Sequence, residues 1–71
     1  MRSKLMFDNI LEASTRVLEE VSFEKFTTNR VAEAAGISIG SLYQYFPNKQ
    51  SILIELERIA IDKMTENIEI L

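Results

Sequence analysis

Phe7, Ile10, Leu11, Ser14, Val17, Leu18 and Val21 fall at spacings of three and four along the chain. That period lines up one buried stripe, so the pattern predicts a first helix over about Lys4 to Glu20. In the following VSFEKF stretch both phenylalanines are closely flanked by charge, which does not suit a strand. Phe23 and Phe26 are therefore expected to plug the core. Thr27 or Thr28 can cap a second helix, with Val31, Ala32 and Ala35 facing inward. A third helix, 39–46, should start after Ser38 and stop at Pro47, because the residue before a proline is pushed out of helical geometry. On its wheel Ile39, Leu42 and Phe46 share one side, Gly40, Ser41, Gln44 and Tyr45 share the other, and Tyr43 sits at the boundary. Asn48 can cap a fourth helix from about residue 49, with Ile52, Leu53, Leu56, Ile59 and Ala60 as its inward stripe. The fold class is all-α: a small domain of three helices plus the start of a fourth, with no repeat and no linker.

The join between the second and third helices is the most informative part. Two helices that pack across a tight turn need a small residue on the inner face of the first, and Ala32 supplies it. The reversal needs a residue that adopts positive φ without steric cost, then an apolar residue to plug the corner; Gly36 and Ile37 fit. Ser38 provides a polar N-cap and Leu42 a buried anchor for the helix that follows. Residues 27–49, TTNRVAEAAGISIGSLYQYFPNK, thus read as a helix-turn-helix whose second helix exposes hydroxyl, amide and phenol groups.

Composition narrows the chemistry. Seventy-one residues make one domain of modest core. With no cysteine and no histidine, the chain lacks thiolate ligands and the commonest general base. It also lacks a Gly-rich phosphate loop or a paired acidic motif, so neither an enzyme nor a bound cofactor or metal is expected. Arg2 and Lys4 open the chain, but Asp8 and Glu12 interrupt the apolar residues behind them before a signal-peptide core or membrane span can form. A soluble, cytoplasmic protein with no membrane partner is expected.

The formal net charge of -3 argues against a nucleic-acid partner until its distribution is considered. Residues 27–50 carry two basic and one acidic side chain, whereas 1–26 carry four and five and 51–71 carry two and five. Exposed charges are screened beyond roughly 8 Å at physiological salt, so the local net +1 can outweigh the total. Past Ala60 the apolar positions of the fourth helix drift to Ile61, Met64, Ile68 and Leu71. That face is either an interface meant for something beyond the domain or a frayed end.

Taken together, FTTNRVAEAAGISIGSLYQYFPNK resembles the DNA-binding domain of the TetR family of bacterial transcriptional regulators, also called TetR/AcrR. The paired threonines, the AxxAGIS turn, the GSLYQYF helix and the PNK start of the fourth helix carry the likeness, which extends from about Phe7 to Leu56. Ser22 departs from it, standing where the family pattern usually has glycine. The resemblance implies a homeodomain-like domain, residues 1–71, with the fourth helix cut short and the ligand-binding and dimerisation domain absent. It also implies sequence-specific binding of double-stranded DNA, usually as a repressor. The third helix would enter the major groove, two copies of the full-length protein would read a palindromic operator, and a small-molecule effector would bind the missing domain.

The candidate contacts each have a plain structural alternative. Thr28 is an N-cap hydroxyl that the resemblance also turns toward a phosphate at the positive end of the helix. Arg30 is either a solvated partner of Glu33 or a groove contact. Ser38, Ser41 and Gln44 suit base edges, Gln44 favouring adenine; Ile39 touches a thymine methyl if it turns outward and is core if not; Gly40 allows close approach of the backbone. Tyr43 and Tyr45 are surface aromatics or, by the resemblance, phosphate donors. Lys49 places a cation at the positive end of a helix, a conflict that a bound phosphate removes, and the family uses a lysine there in that way. The rival function is a small helical protein-interaction module working through the apolar side of the fourth helix.

Overall fold

The computed structural model describes residues 2–70, with side-chain surroundings defined for residues 4–64. Four helices follow in order: α1 (Arg2–Glu20), α2 (Thr28–Ala35), α3 (Ile39–Tyr45) and α4 (Lys49–Ile70), with a 3-10 turn at Phe23–Lys25 between α1 and α2. Among the described residues there is no strand. α1 begins slightly before the apolar stripe that predicted it, and its stripe is buried as expected: Ile10, Leu11, Ser14 and Val17 are inside, with Phe7, Leu18 and Val21 half-buried. Ala13, outside that stripe, is also fully buried. The Ser14 hydroxyl lies in this core but donates to the Ile10 carbonyl at 2.7 Å, so no polar atom is left without a partner there.

The 3-10 turn separates the two phenylalanines that were both expected to plug the core. Phe26 is fully buried, whereas Phe23 is 64% exposed. The chain leaves the turn at Phe26 in extended backbone (φ -75°, ψ 115°), which sends the second ring inward and strands the first on the surface. Phe26, Val31, Ala32, Leu42, Phe46 and Ile52 complete the core with the α1 residues. The Phe7 ring stacks on Phe46 with centroids 5.0 Å apart and planes 26° from parallel, tying α1 to the end of α3. Phe46 itself has left the helix (φ -136°, ψ 111°), as a residue preceding proline must.

α4 packs by its first turns only. Ile52 is fully buried and Leu53, Leu56 and Ile59 are half-buried, but Ala60, expected on the inward stripe, is exposed, as are residues 61–64. The helix runs 22 residues, and its described side chains past Ile59, those of residues 60–64, all face solvent. Ile61 and Met64 are exposed as expected; the side chains of Ile68 and Leu71 lie outside the described residues.

Each of the last four carbonyls of α2 finds a donor, two of them in the turn that follows it. Gly36 adopts the left-handed conformation (φ 74°, ψ 30°); its N–H donates to the Glu33 carbonyl at 3.1 Å and that of Ile37 to the Ala32 carbonyl at 3.0 Å. This is the paired closure of a Schellman turn, with Ile37 folded back onto the core. The two remaining carbonyls are taken by α1: Asn9 Nδ2 donates to Ala35 at 3.2 Å and Arg16 Nη2 to Ala34 at 3.3 Å. Both the last turn of α2 and the direction in which α3 departs are thereby fixed against α1.

A Cβ added at Gly36 would meet no atom within 4 Å, so Gly36→Ala costs backbone strain alone. Urea unfolding should show a loss of about 1–2 kcal/mol. Gly40→Ala, in the first turn of α3 with only Ser38 Oγ at 4.0 Å, should instead gain about 0.5 kcal/mol. A Gly36→Ala variant as stable as the parent would show that the left-handed turn does not form.

Candidate nucleic-acid interface

The amino terminus of α2 is capped by Thr27, not by the neighbouring threonine. Thr27 is extended (φ -133°, ψ 158°), and its Oγ1 accepts the Arg30 N–H at 3.2 Å. Thr28, read from the sequence as a capping hydroxyl, is already the first residue of the helix. Its side chain is free for another partner and lies 3.1 Å from the Tyr43 hydroxyl. A pair of hydroxyls, one from each helix, therefore stands beside the unpaired first amides of α2, with Tyr43 48% exposed. Such a group of N–H and O–H donors at the positive end of a helix suits an anion.

α3 begins with its own cap. Ser38 is extended (φ -74°, ψ 157°), and its Oγ accepts the Ser41 N–H at 3.1 Å while donating to Ser41 Oγ at 3.0 Å. Leu42 is fully buried and orients the helix. At about 100° per residue, Gly40 and Gln44 stand on the opposite side from Leu42, with Ser41 and Tyr43 on the flanks. Gly40 and Gln44 are exposed accordingly and Ser41 is half-buried. The Gln44 amide has no hydrogen-bond partner among the described residues, so its donor and acceptor groups are both available.

The third element is the start of α4. Asn48 Oδ1 accepts the Ser51 N–H at 2.9 Å, Ser51 Oγ donates to the Asn48 carbonyl at 2.6 Å, and the Asn48 N–H reaches back to Ser51 Oγ at 3.5 Å. This reciprocal cap makes Lys49 the first residue of the helix. Lys49 is half-buried and makes no ion pair among the described residues.

Three sequence-predicted contacts stand apart from this face. Tyr45 was grouped with Gly40, Ser41 and Gln44, but it follows Leu42 by three residues and so turns only about 60° from that buried anchor. It packs half-buried against the core and lines a groove between α1 and α4 with Phe7, Leu11 and Ile59. Ile39 is likewise half-buried against the core. Arg30 is exposed, makes no ion pair with Glu33, and borders a shallow depression beside Val17, Glu20 and Val21. The hydroxyl pairing of Thr28 with Tyr43 and the clamping of α2 by Asn9 and Arg16 had no signal in the sequence. Each joins residues far apart in the chain, and neither Asn9 nor Arg16 breaks the pattern of a solvated helix face.

Residues 10–56 match the family described as bacterial regulatory proteins, tetR family. Among curated proteins the chain is 32% identical over 60 residues to the fatty acid metabolism regulator protein of Bacillus subtilis, covering 84% of this chain and 31% of that one. It is 36% identical over 55 residues to the HTH-type transcriptional repressor KstR of Mycolicibacterium smegmatis, covering 70% of this chain and 27% of the relative. With the tetracycline repressor protein class C of Escherichia coli it shares 33% identity over 51 residues, 72% of this chain and 23% of that one. The chain thus spans less than a third of the length of these relatives, which are regulators and not enzymes by name. No helix among the described residues is long and apolar enough to cross a membrane. On the family match and on the helix-turn-helix itself, the chain belongs to the tetR family of bacterial regulatory proteins and is a DNA-binding segment of a transcriptional regulator of that family.

Proposed function

We propose that this segment, residues 1–71, reads a specific double-stranded DNA sequence by laying α3 in the major groove, with Gln44 and Ser41 toward base edges. Thr28, Tyr43, Lys49 and the amino termini of α2 and α4 hold the phosphates on either side. The observation that carries this reading is the meeting of the Thr28 and Tyr43 hydroxyls at 3.1 Å beside the open amides of α2. Uncharged hydroxyls and amides suit a reading head in a chain of net charge -3, since they bind phosphate without needing many cations. Tyr45, Ile39 and Arg30 hold secondary places: the first two support α3 from its buried side, and Arg30 lies beside the acidic end of α1. In the full-length regulator, two copies on a palindromic operator, a small-molecule effector bound outside this segment, and repression as the outcome complete the proposal. A second reading, a protein contact through α4, draws on the exposure of Ile54, Ile61 and Met64. It predicts self-association or partner binding with no DNA affinity at low salt.

Phosphate contacts fix position and base contacts confer specificity, so the variants should separate. Lys49→Ala should weaken binding to all duplexes and flatten the salt dependence by roughly one unit of log–log slope. Gln44→Ala should change which sequences are preferred and leave that slope alone. An unchanged affinity and slope for Lys49→Ala would remove Lys49 from the interface.

Tyr43→Phe and Thr28→Val should each weaken binding regardless of sequence, and the double variant should lose less than the two losses combined, because the hydroxyls act as one unit. Additive losses in the binding free energies would mean that the two groups contact DNA independently.

A further inference from the structure

Resting on that DNA-reading role, we infer that Asn9 is a positioning residue for the reading helix: by holding the last peptide of α2 it sets the angle at which α3 presents Ser41 and Gln44 to the bases. The Ala35 carbonyl and the Gly36 N–H belong to one rigid peptide plane, the plane from which the left-handed turn departs. Its N–H is held locally, by the Glu33 carbonyl at 3.1 Å. Among the described residues its carbonyl is held only from α1, by Asn9 Nδ2 at 3.2 Å, 26 positions earlier in the chain. Of the two ends of a carboxamide only the NH2 group can bond a carbonyl oxygen, which fixes how Asn9 must sit. Turning the plane changes ψ of Ala35 and φ of Gly36 together, and those two dihedrals carry the direction of α3. Arg16 also reaches α2, at the Ala34 carbonyl 3.3 Å away, but that is one peptide further back and through a side chain 49% exposed and shared with Glu12 at 3.9 Å. Its loss leaves the turn peptide held. Hydrogen bonds to base edges weaken steeply when misaligned, whereas a long side chain on a phosphate adapts. A tilt of α3 therefore removes discrimination before it removes affinity.

The test measures two affinities at low salt for the 71-residue chain and each variant: one for a duplex that the wild-type chain selects from a random pool, the other for a scrambled duplex of the same composition. Partial unfolding multiplies both by the same folded fraction, so their ratio does not respond to a loss of stability alone. Asn9→Ala should lower the ratio by about threefold to tenfold, the size of a single net hydrogen bond. Asn9→Asp, close in shape but with no proton to donate, should lower it at least as far, because its carboxylate would face both the Ala35 oxygen and the negative end of α2. Arg16→Ala should keep the ratio near the wild-type value. If both Asn9 variants keep the ratio while stability falls, the inference is overturned and the DNA-reading role stands. An equal drop for Arg16→Ala would overturn it too, by moving the role from the turn peptide to α2 as a whole. If the wild-type chain enriches no sequence, the DNA-reading role fails and the inference fails with it.

Discussion

The left-handed turn at Gly36 governs everything that the exposed face of α3 can do. A helix of seven residues has little of its own to hold it, since isolated helices of that length are unstable in water. Its orientation is inherited from the end of α2, and that end is fixed because each of its last four carbonyls has a donor. Two donors come from the turn itself and two from Asn9 and Arg16 of α1. Arg16 also brings a cation to the negative end of α2, where the helix dipole favours it. From there Ile37 and Leu42 anchor the turn and α3 to the core, and what remains on the far side is Gly40, Ser41, Tyr43 and Gln44.

Electrostatics shape how such a face can be used. The chain is acidic overall, and its charged pairs among the described residues are surface contacts: Arg16 with Glu12, and Arg58 with Glu55 and Asp62. The Glu55 carboxylate, by hydrogen bond and by charge, raises the Arg58 guanidinium above its already high ordinary value, so this cation is occupied within α4. Pairs of this kind add little to stability. They do leave Lys49 as an uncommitted cation at a helix amino terminus, close in sequence to the hydroxyl-rich helix. In the proposed complex the attraction to DNA is therefore local and modest.

Much of this was legible in the sequence because it depends on local chemistry. The periodic stripe of α1, the glycine at the turn, the serine and asparagine caps and the stop at Pro47 are all set by residues within a few positions of where they act. What escaped depends on neighbours distant in the chain. Both phenylalanines of VSFEKF look equally suited to a core, and only the extended backbone at Phe26 separates them. Tyr45 looks as polar as Gln44, but its angle from Leu42 places it over the α1–α4 groove. Thr27 and Thr28 are the same residue type side by side; the first, extended before the helix, takes the cap, and the second is left to meet Tyr43 fifteen positions on.

Mapping amide chemical-shift changes as a duplex carrying the bound site is added would test the account most directly. The fixed turn presents one face, so the largest changes should fall on Thr28, on Ser41 to Gln44 and on Lys49, while the amides of residues 60–64 stay still. Changes concentrated on α4 beyond Ile59, with α3 unmoved, would contradict it.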